Sequence, residues 1–96
     1  MITGSRLSVG STPVQVTSTS TRFGHNLVLR APLTNTAAVY VGISSAVTPG
    51  TTEATDGFPI NAGDYLEIDP LGNADVSLFW VVSSSSGQKV FWATDI

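Results

Sequence analysis

The sequence predicts an all-β protein, a single small β-sandwich or jelly-roll-like β-barrel of about seven antiparallel strands. Short segments alternate apolar and polar residues with a period of two, as in strands whose successive side chains point to opposite faces. Glycine, proline and asparagine separate these segments at short intervals, which is typical of sandwiches and barrels. Serine and threonine, twelve of each, replace charged residues, which form only 11% of the chain. Hydroxyl side chains pair well across exposed strands.

The N-terminal residues 1–11 are polar, and we predict an N-terminal arm or an edge strand there, with Leu7 and Val9 as anchors. Residues 12–96 are predicted to form a single β domain. Pro13 has no N–H group to donate to a β-ladder, so the next strand begins there or lies at a sheet edge.

The remaining segments follow from the same alternation. The side chains predicted to face the core are Leu27, Leu29 and Ala31 in one segment and Val39, Val41 and Ile43 in the next. Gly42 is a candidate bulge position, and Gly63 is predicted to allow the turn before Asp64. The predicted strands cover residues 14–17, 27–31, 38–43, 65–68, 76–83 and 88–93, and residues 58–64 are predicted as an extended piece followed by a turn.

Segment 76–83 carries large apolar residues on both of its predicted faces. Val76, Leu78, Trp80 and Val82 share one face, while Ser77, Phe79, Val81 and Ser83 share the other. We predict Trp80 and Trp92 in the core. If this strand and segment 88–93 form a hairpin, Phe79 and Phe91 lie together on an outer face as an apolar patch, which usually marks an interface. The predicted subunit-interface residues are Phe79, Val81, Phe91 and Tyr40. A curled sheet that buries both faces within one chain is the alternative.

Composition excludes several classes of function. The net charge is −3 with four basic residues, which argues against binding to a nucleic-acid backbone. The absence of cysteine excludes disulfides and thiolate metal sites, and a single histidine excludes a multi-histidine site. No apolar stretch is long enough to span a bilayer, and the N-terminus does not resemble a signal peptide. We therefore expect no membrane partner and synthesis in the cytoplasm, with oligomerisation to stabilise so small a domain.

No segment predicts catalysis or a bound cofactor or metal. His25 lies in a predicted turn without the neighbours that a catalytic triad needs. Asp64, Glu67 and Asp69 match no calcium-loop spacing and are interpreted as a solvated edge. The serine run 83–86 lacks the glycine pattern of a nucleophile elbow or a phosphate-binding loop, so we interpret it as a hairpin tip.

Three segments carry a resemblance to a known group of proteins: residues 35–42 (NTAAVYVG), 57–64 (GFPINAGD) and 87–93 (GQKVFWA). In this order they resemble small β-sandwich virion proteins of tailed bacteriophages, over residues 27–94. The resemblance implies a capsid decoration (cement) protein that binds the major capsid protein as a homotrimer on the virion surface. Alternatives are a tail, baseplate or fibre-attachment module of the virion, or a carbohydrate-binding module for host attachment.

The long irregular stretch 44–57 is the second candidate for contact with a capsid, together with the N-terminal arm. Loops of this length are often functional. The residues expected to contact the capsid are Leu7, Val9, Val47 and Pro49.

Overall fold

The computed structural model describes residues 1–70 and 74–95, which form eight strands in two four-stranded antiparallel sheets. The strands are β1 (Ile2–Val9), β2 (Val14–Gln15), β3 (Leu27–Arg30), β4 (Val39–Gly42), β5 (Phe58–Ile60), β6 (Tyr65–Ile68), β7 (Trp80–Ser83) and β8 (Gln88–Asp95). The first sheet has the order β1-β8-β3-β6 and the second β2-β7-β4-β5. This arrangement confirms the predicted all-β sandwich.

The N-terminal segment, predicted as an arm or an edge strand, is the edge strand β1. It pairs with β8 in continuous register, from Ile2 opposite Asp95 to Val9 opposite Gln88. Val9 is only 2% exposed, and Leu7 packs against the core. The segment therefore contributes directly to the sandwich.

The core lies between the two sheets and takes alternate residues from their strands. Leu27, Leu29, Val39 and Val41 are buried, as the alternation predicted. Ile43 lies beyond the end of β4 and is 78% exposed, so its predicted inward position is wrong. Burial of this apolar surface is the main force that holds the sheets together. The buried cluster comprises Val9, Val16, Phe23, Leu27, Leu29, Ala31, Val39, Val41, Ile60, Val76, Val81, Val90 and Trp92.

Strands β7 and β8 are not hairpin partners, contrary to the prediction. β7 lies between β2 and β4 in the second sheet, and β8 lies between β1 and β3 in the first. Residues 84–87 therefore connect one sheet to the other. Phe79 and Phe91 consequently belong to different sides of the sandwich and share no outer face.

Segment 76–83 is not one continuous strand either. Val76–Leu78 form a 3-10 helical turn, and β7 begins only at Trp80. The turn is capped by Asp75, whose carboxylate accepts a hydrogen bond from the Ser77 N–H at 2.9 Å. A side chain that accepts from a nearby backbone N–H stabilises the start of a helical turn, and this local pairing interrupts the two-residue period.

The turn reverses which residues of this segment face the core. Phe79 packs against the core and Val81 is fully buried within it, whereas Trp80 is half-buried and outside the core cluster. Val82 follows Val81 in β7 and so points to the opposite face of the sheet, yet Val82 is also 0% exposed. The chain therefore covers this strand on both sides, which removes the reason for expecting a partner chain at β7.

The buried side-chain amides of Asn35 and Gln88 link β8 to the connection between β3 and β4 by hydrogen bonds. Asn35 binds Lys89 twice, because its Nδ2 donates to the Lys89 carbonyl and its Oδ1 accepts from the Lys89 N–H, both at 2.8 Å. Its side chain thus continues the β-ladder beyond the end of β3. Gln88 Oε1 accepts from the N–H groups of Thr36 at 2.8 Å and Ala37 at 3.1 Å.

Candidate binding surface

The outer face of the first sheet carries alternating arginine and aromatic side chains. The strand register places Arg6 opposite Phe91, Phe91 opposite Arg30, and Arg30 opposite Tyr65. Residues directly opposite one another on neighbouring strands lie on the same face, with Cβ atoms about 5 Å apart. The four residues therefore form one line across all four strands. We call Arg6, Phe91, Arg30 and Tyr65 the arginine–aromatic row.

The row is open to solvent. Phe91 is 40% exposed and Tyr65 is 63% exposed, and both arginines are exposed as well. The sequence neighbours of the two rings point inward: Val90 and Trp92, on either side of Phe91, are buried in the core, and Leu66, next to Tyr65, packs against it. Two large aromatic rings are therefore held at the surface by the strand period itself.

Positive charge is concentrated on this face. Of the four basic side chains in the chain, the register and alternation place Arg6, Arg30 and Lys89 here. Lys89 Nζ donates a hydrogen bond to Ser8 Oγ at 3.0 Å. In a chain of net charge −3, this local excess of cations requires that carboxylates predominate elsewhere.

Two carboxylates at the margins of the same face already have partners within the chain. The N-terminal ammonium group donates to Asp95 Oδ1 at 2.7 Å. This hydrogen bond, followed by the charge of the ammonium group, lowers the pKa of Asp95. Glu67 Oε2 accepts a hydrogen bond from Asn26 Nδ2 at 3.2 Å. In the strand register, the cross-strand neighbours of the two arginines in the row are aromatic rings, not carboxylates.

A hollow adjoins the row at its centre. It has a volume of about 400 Å³ and is lined by Arg30, Pro32, Leu33 and Phe91. Leu33 is 79% exposed, so the hollow combines apolar walls with one guanidinium group. It can accommodate the side chain of a binding partner.

The second sheet has a different outer surface, because the chain itself covers part of it. The long loop 43–57 folds back so that Val47 lies against Gly42, where an added Cβ would be 2.6 Å from a Val47 methyl carbon. Asp56 closes the loop by accepting a hydrogen bond from Thr48 Oγ1 at 2.6 Å and from the Glu53 N–H at 2.8 Å. The Thr48 hydrogen bond is the main cause that lowers the pKa of Asp56.

An open hollow of about 340 Å³ lies between this loop and the end of β4. Two exposed apolar side chains, Ile43 and Phe58, are among the residues that line it. Its lining includes one carboxylate, that of Asp56, which is engaged in closing the loop. The hollow therefore has a mixed lining, and its carboxylate is already engaged within the loop.

The structure separates the predicted subunit-interface residues. Val81 is fully buried and Phe79 packs against the core, so neither forms an outer patch. Tyr40 is half-buried on the second sheet, opposite Val82. Of the four, only Phe91 has an exposed side chain, and its exposed neighbours are arginines and Tyr65 instead of Phe79.

Two of the four residues expected to contact a capsid are buried inside the molecule. Val9 and Val47 are 2% and 5% exposed, so their side chains have almost no surface to offer a partner. Leu7 and Pro49 are half-buried. For Val9 and Val47 the expectation is corrected, because these side chains pack within the chain.

Apart from Ser83, the histidine, acidic and serine residues considered as candidates for chemistry lie at the surface. His25, Asp64, Glu67 and Asp69 are exposed, and Ser84 to Ser86 form an exposed connection, while Ser83 is buried at the end of β7 and donates to the Ala38 carbonyl. Within residues 1–70 and 74–95, no three acidic or histidine side chains are grouped closely enough to hold a metal ion. In the same described ranges, no helix is long and apolar enough to cross a membrane.

Sequence reasoning missed Arg6, Arg30, Tyr65 and Leu33 as members of one surface. Part of the signal was present, since the alternation predicts that Arg30 points away from Leu27 and Leu29 and that Tyr65 shares a face with Glu67. The missing information was the strand order, which alone brings residues 6, 30, 65 and 91 into one line.

Comparison of the chain with family models, with curated proteins and with solved structures finds no match.

Proposed function

We propose that this protein is a non-enzymatic structural module of a tailed-bacteriophage virion, a capsid decoration protein that acts by adhesion. The observation that carries the proposal is the exposed arginine–aromatic row on a hydrogen-bonded four-stranded face. Arginine and aromatic residues are enriched at the centres of protein interfaces. The resemblance of three segments to small virion proteins supplies the biological setting.

Adhesion stabilises a capsid by mass action. A protein that binds the assembled lattice, but not its loose subunits, lowers the free energy of the assembled form as occupancy rises. A face made of hydrogen-bonded strands suits this role, because a preformed binding face loses little conformational entropy on docking. We expect the major capsid protein as partner and an assembly of three copies of this chain.

The test is copy number and location on the particle. Quantitative mass spectrometry of purified virions of the encoding phage, with immunogold labelling, should find many copies on the head. A few copies at the tail indicate a tail, baseplate or fibre-attachment module instead, and absence from the particle rejects a virion role. Light scattering of the purified protein should give three times the 10.0 kDa of one chain, whereas a monomer contradicts the trimer.

A carbohydrate-binding module for host attachment is the second candidate, and the exposed rings of Phe91 and Tyr65 favour it. Aromatic platforms bind sugars when hydrogen-bonding groups surround them. Specific hits on a glycan array, lost on Phe91→Ala, would favour this candidate over capsid decoration.

A further inference from the structure

We propose that the arginine–aromatic row is a docking site for a carboxylate-rich protein surface. The inference deepens the proposed function, on which it rests, by naming the chemistry of the partner. The site consists of the Arg6 and Arg30 guanidinium groups, the rings of Phe91 and Tyr65, and the hollow beside Leu33.

Charge complementarity identifies the partner as anionic. Three of the four basic side chains in the chain lie on this face, although the whole chain is acidic. Asp95 and Glu67, two carboxylates at its margins, are engaged by the N-terminus and Asn26. The planar donor fork of arginine binds carboxylates in a two-pronged geometry, which makes it the preferred cation at specific interfaces.

The arrangement of the aromatic rings indicates a protein partner. Each ring in the row is flanked by a guanidinium group, and the hollow between Phe91 and Arg30 has Pro32 and Leu33 as its other walls. A site of this composition receives a side chain that has an apolar stem and an anionic head, such as glutamate. A sugar needs a surrounding set of amides, carboxylates or hydroxyls, whereas the row supplies only the Tyr65 hydroxyl and the guanidinium groups.

The whole face is also suited in shape to a protein surface. The row crosses four hydrogen-bonded strands, so its length is about three strand spacings, or roughly 14 Å. Along the row, the guanidinium groups of Arg6 and Arg30 alternate with the rings of Phe91 and Tyr65. Such a face combines electrostatic steering of an acidic partner with desolvated aromatic anchors.

The experiment is a titration of the ¹⁵N-labelled protein with poly-L-glutamate, followed by two-dimensional NMR. We expect chemical-shift changes confined to the strands of the first sheet near residues 6, 30, 65 and 91. The net charge of −3 opposes general attraction to a polyanion, so binding requires a local positive site. Binding should weaken steeply as salt rises, because the contacts are between exposed charges.

The double variant Arg6→Gln/Arg30→Gln should weaken binding about tenfold or more, the fold-change expected when a charge-assisted hydrogen bond is lost. Phe91→Ala should weaken it independently of salt, because the ring contributes apolar contact. Arg22→Gln is the control for loss of charge: it removes one positive charge outside the row, at a residue whose backbone forms a β-bridge with that of Asp75, and should leave binding unchanged. All of these side chains except Phe91 are exposed polar groups, and NMR spectra of each variant verify its fold.

Polygalacturonate, a carboxylate polymer with a sugar backbone, separates the partner classes. Binding of polygalacturonate through the row without binding of poly-L-glutamate would overturn the proposal in favour of an acidic glycan. Shifts spread over the whole surface, shifts centred on Arg22, or equal binding by the double variant would also overturn it. Different results would contradict the proposed function and the docking site. Virions that lack the protein would refute the virion role. Capsid binding that is unchanged in the double variant would refute the row as the docking site.

Discussion

The two substitutions Gln88→Met and Gln15→Met should have very different effects on stability, although they make the same chemical change. Methionine keeps the length and nearly the volume of glutamine but makes no comparable hydrogen bonds. Gln88 is 2% exposed, and its amide makes four hydrogen bonds, to the Thr36 and Ala37 N–H groups, the Thr36 hydroxyl and the Ser86 carbonyl. Gln15 makes one, from its Nε2 to the Ser77 carbonyl at 2.7 Å.

The magnitude follows from the groups that lose a partner. A net hydrogen bond contributes about 1 kcal/mol, and a buried donor left without an acceptor costs about 1–3 kcal/mol. Gln88→Met leaves the N–H groups of Thr36 and Ala37 without their acceptor. Because these groups are only partly buried, we expect the free energy of unfolding to fall by about 2–4 kcal/mol. Gln15→Met should cost about 1 kcal/mol. Against a total stability of about 5–15 kcal/mol for a domain, only the first is a large effect.

The assay is equilibrium unfolding in urea, followed by the fluorescence of the two tryptophans, half-buried Trp80 and buried Trp92, and fitted with a common slope. Hydrogen exchange provides a second readout, since the Thr36 and Ala37 amides should lose protection in Gln88→Met before the core strands do. If the two variants differ by less than about 0.5 kcal/mol, the size of an ordinary surface effect, the idea that Gln88 fastens the crossover to β8 is refuted.

Three further predictions concern the edge strand, an acid-sensitive turn and the core. Gly4→Ala should lower the free energy of unfolding by about 1–3 kcal/mol, because an added Cβ would lie 2.2 Å from the Trp92 carbonyl oxygen. Ser5→Ala is the control. Equal stability of the two variants in urea would contradict the close approach at Gly4. Hydrogen bonds lower the pKa of Asp75, so its ionised form stabilises the fold above the ordinary carboxyl pKa of about 3.9. That contribution disappears as the pH falls through the lower folded value. Asp75→Asn should therefore be less stable at pH 7 and lose less on acidification, and parallel pH profiles would exclude this role. Leu29→Ala should cost about 2–5 kcal/mol, since Leu29 is 0% exposed, and thermal unfolding should show a clearly lower midpoint.

The low pKa of Asp75 has a clear structural cause. The Ser20 hydroxyl donates to one carboxylate oxygen at 2.5 Å, and the N–H groups of Ser77 and Thr21 donate to the other at 2.9 Å. The Ser20 contact contributes most to the lowered pKa, although partial burial of the carboxylate opposes it. Because this carboxylate is near solvent, we expect its contribution to stability to be modest.

Segment 76–83 shows a case in which a two-residue period does not predict which side chains face the core. Its apolar and polar residues alternate, yet Asp75 caps a 3-10 turn that shifts every following side chain to the other face. A shift of one residue exchanges core and surface along the whole strand, which is why the alternation predicts the wrong sides for Trp80 and Val81. Segment 27–31 has no such capping group within it, and its alternation predicted Leu27, Leu29 and Ala31 correctly.

Pairing between distant strands is the second limit. The serine-rich connection after Ser83 resembles a hairpin loop, but it joins the two sheets. Turn residues specify that the chain changes direction and leave open which strand it meets next. The predicted patch of Phe79 and Phe91 depended on that choice and failed with it.

The sequence by itself determined the all-β class, the approximate positions of the strands and the inward sets of β3 and β4. These properties are local, because they follow from the two-residue period and from turn residues within a few positions of each strand. The tertiary structure alone decided the strand order, the sheet to which β7 and β8 belong, and the arginine–aromatic row. Arg6 and Phe91 are brought together by pairing of the first and last strands, which depends on how two whole sheets pack and not on any short stretch of sequence.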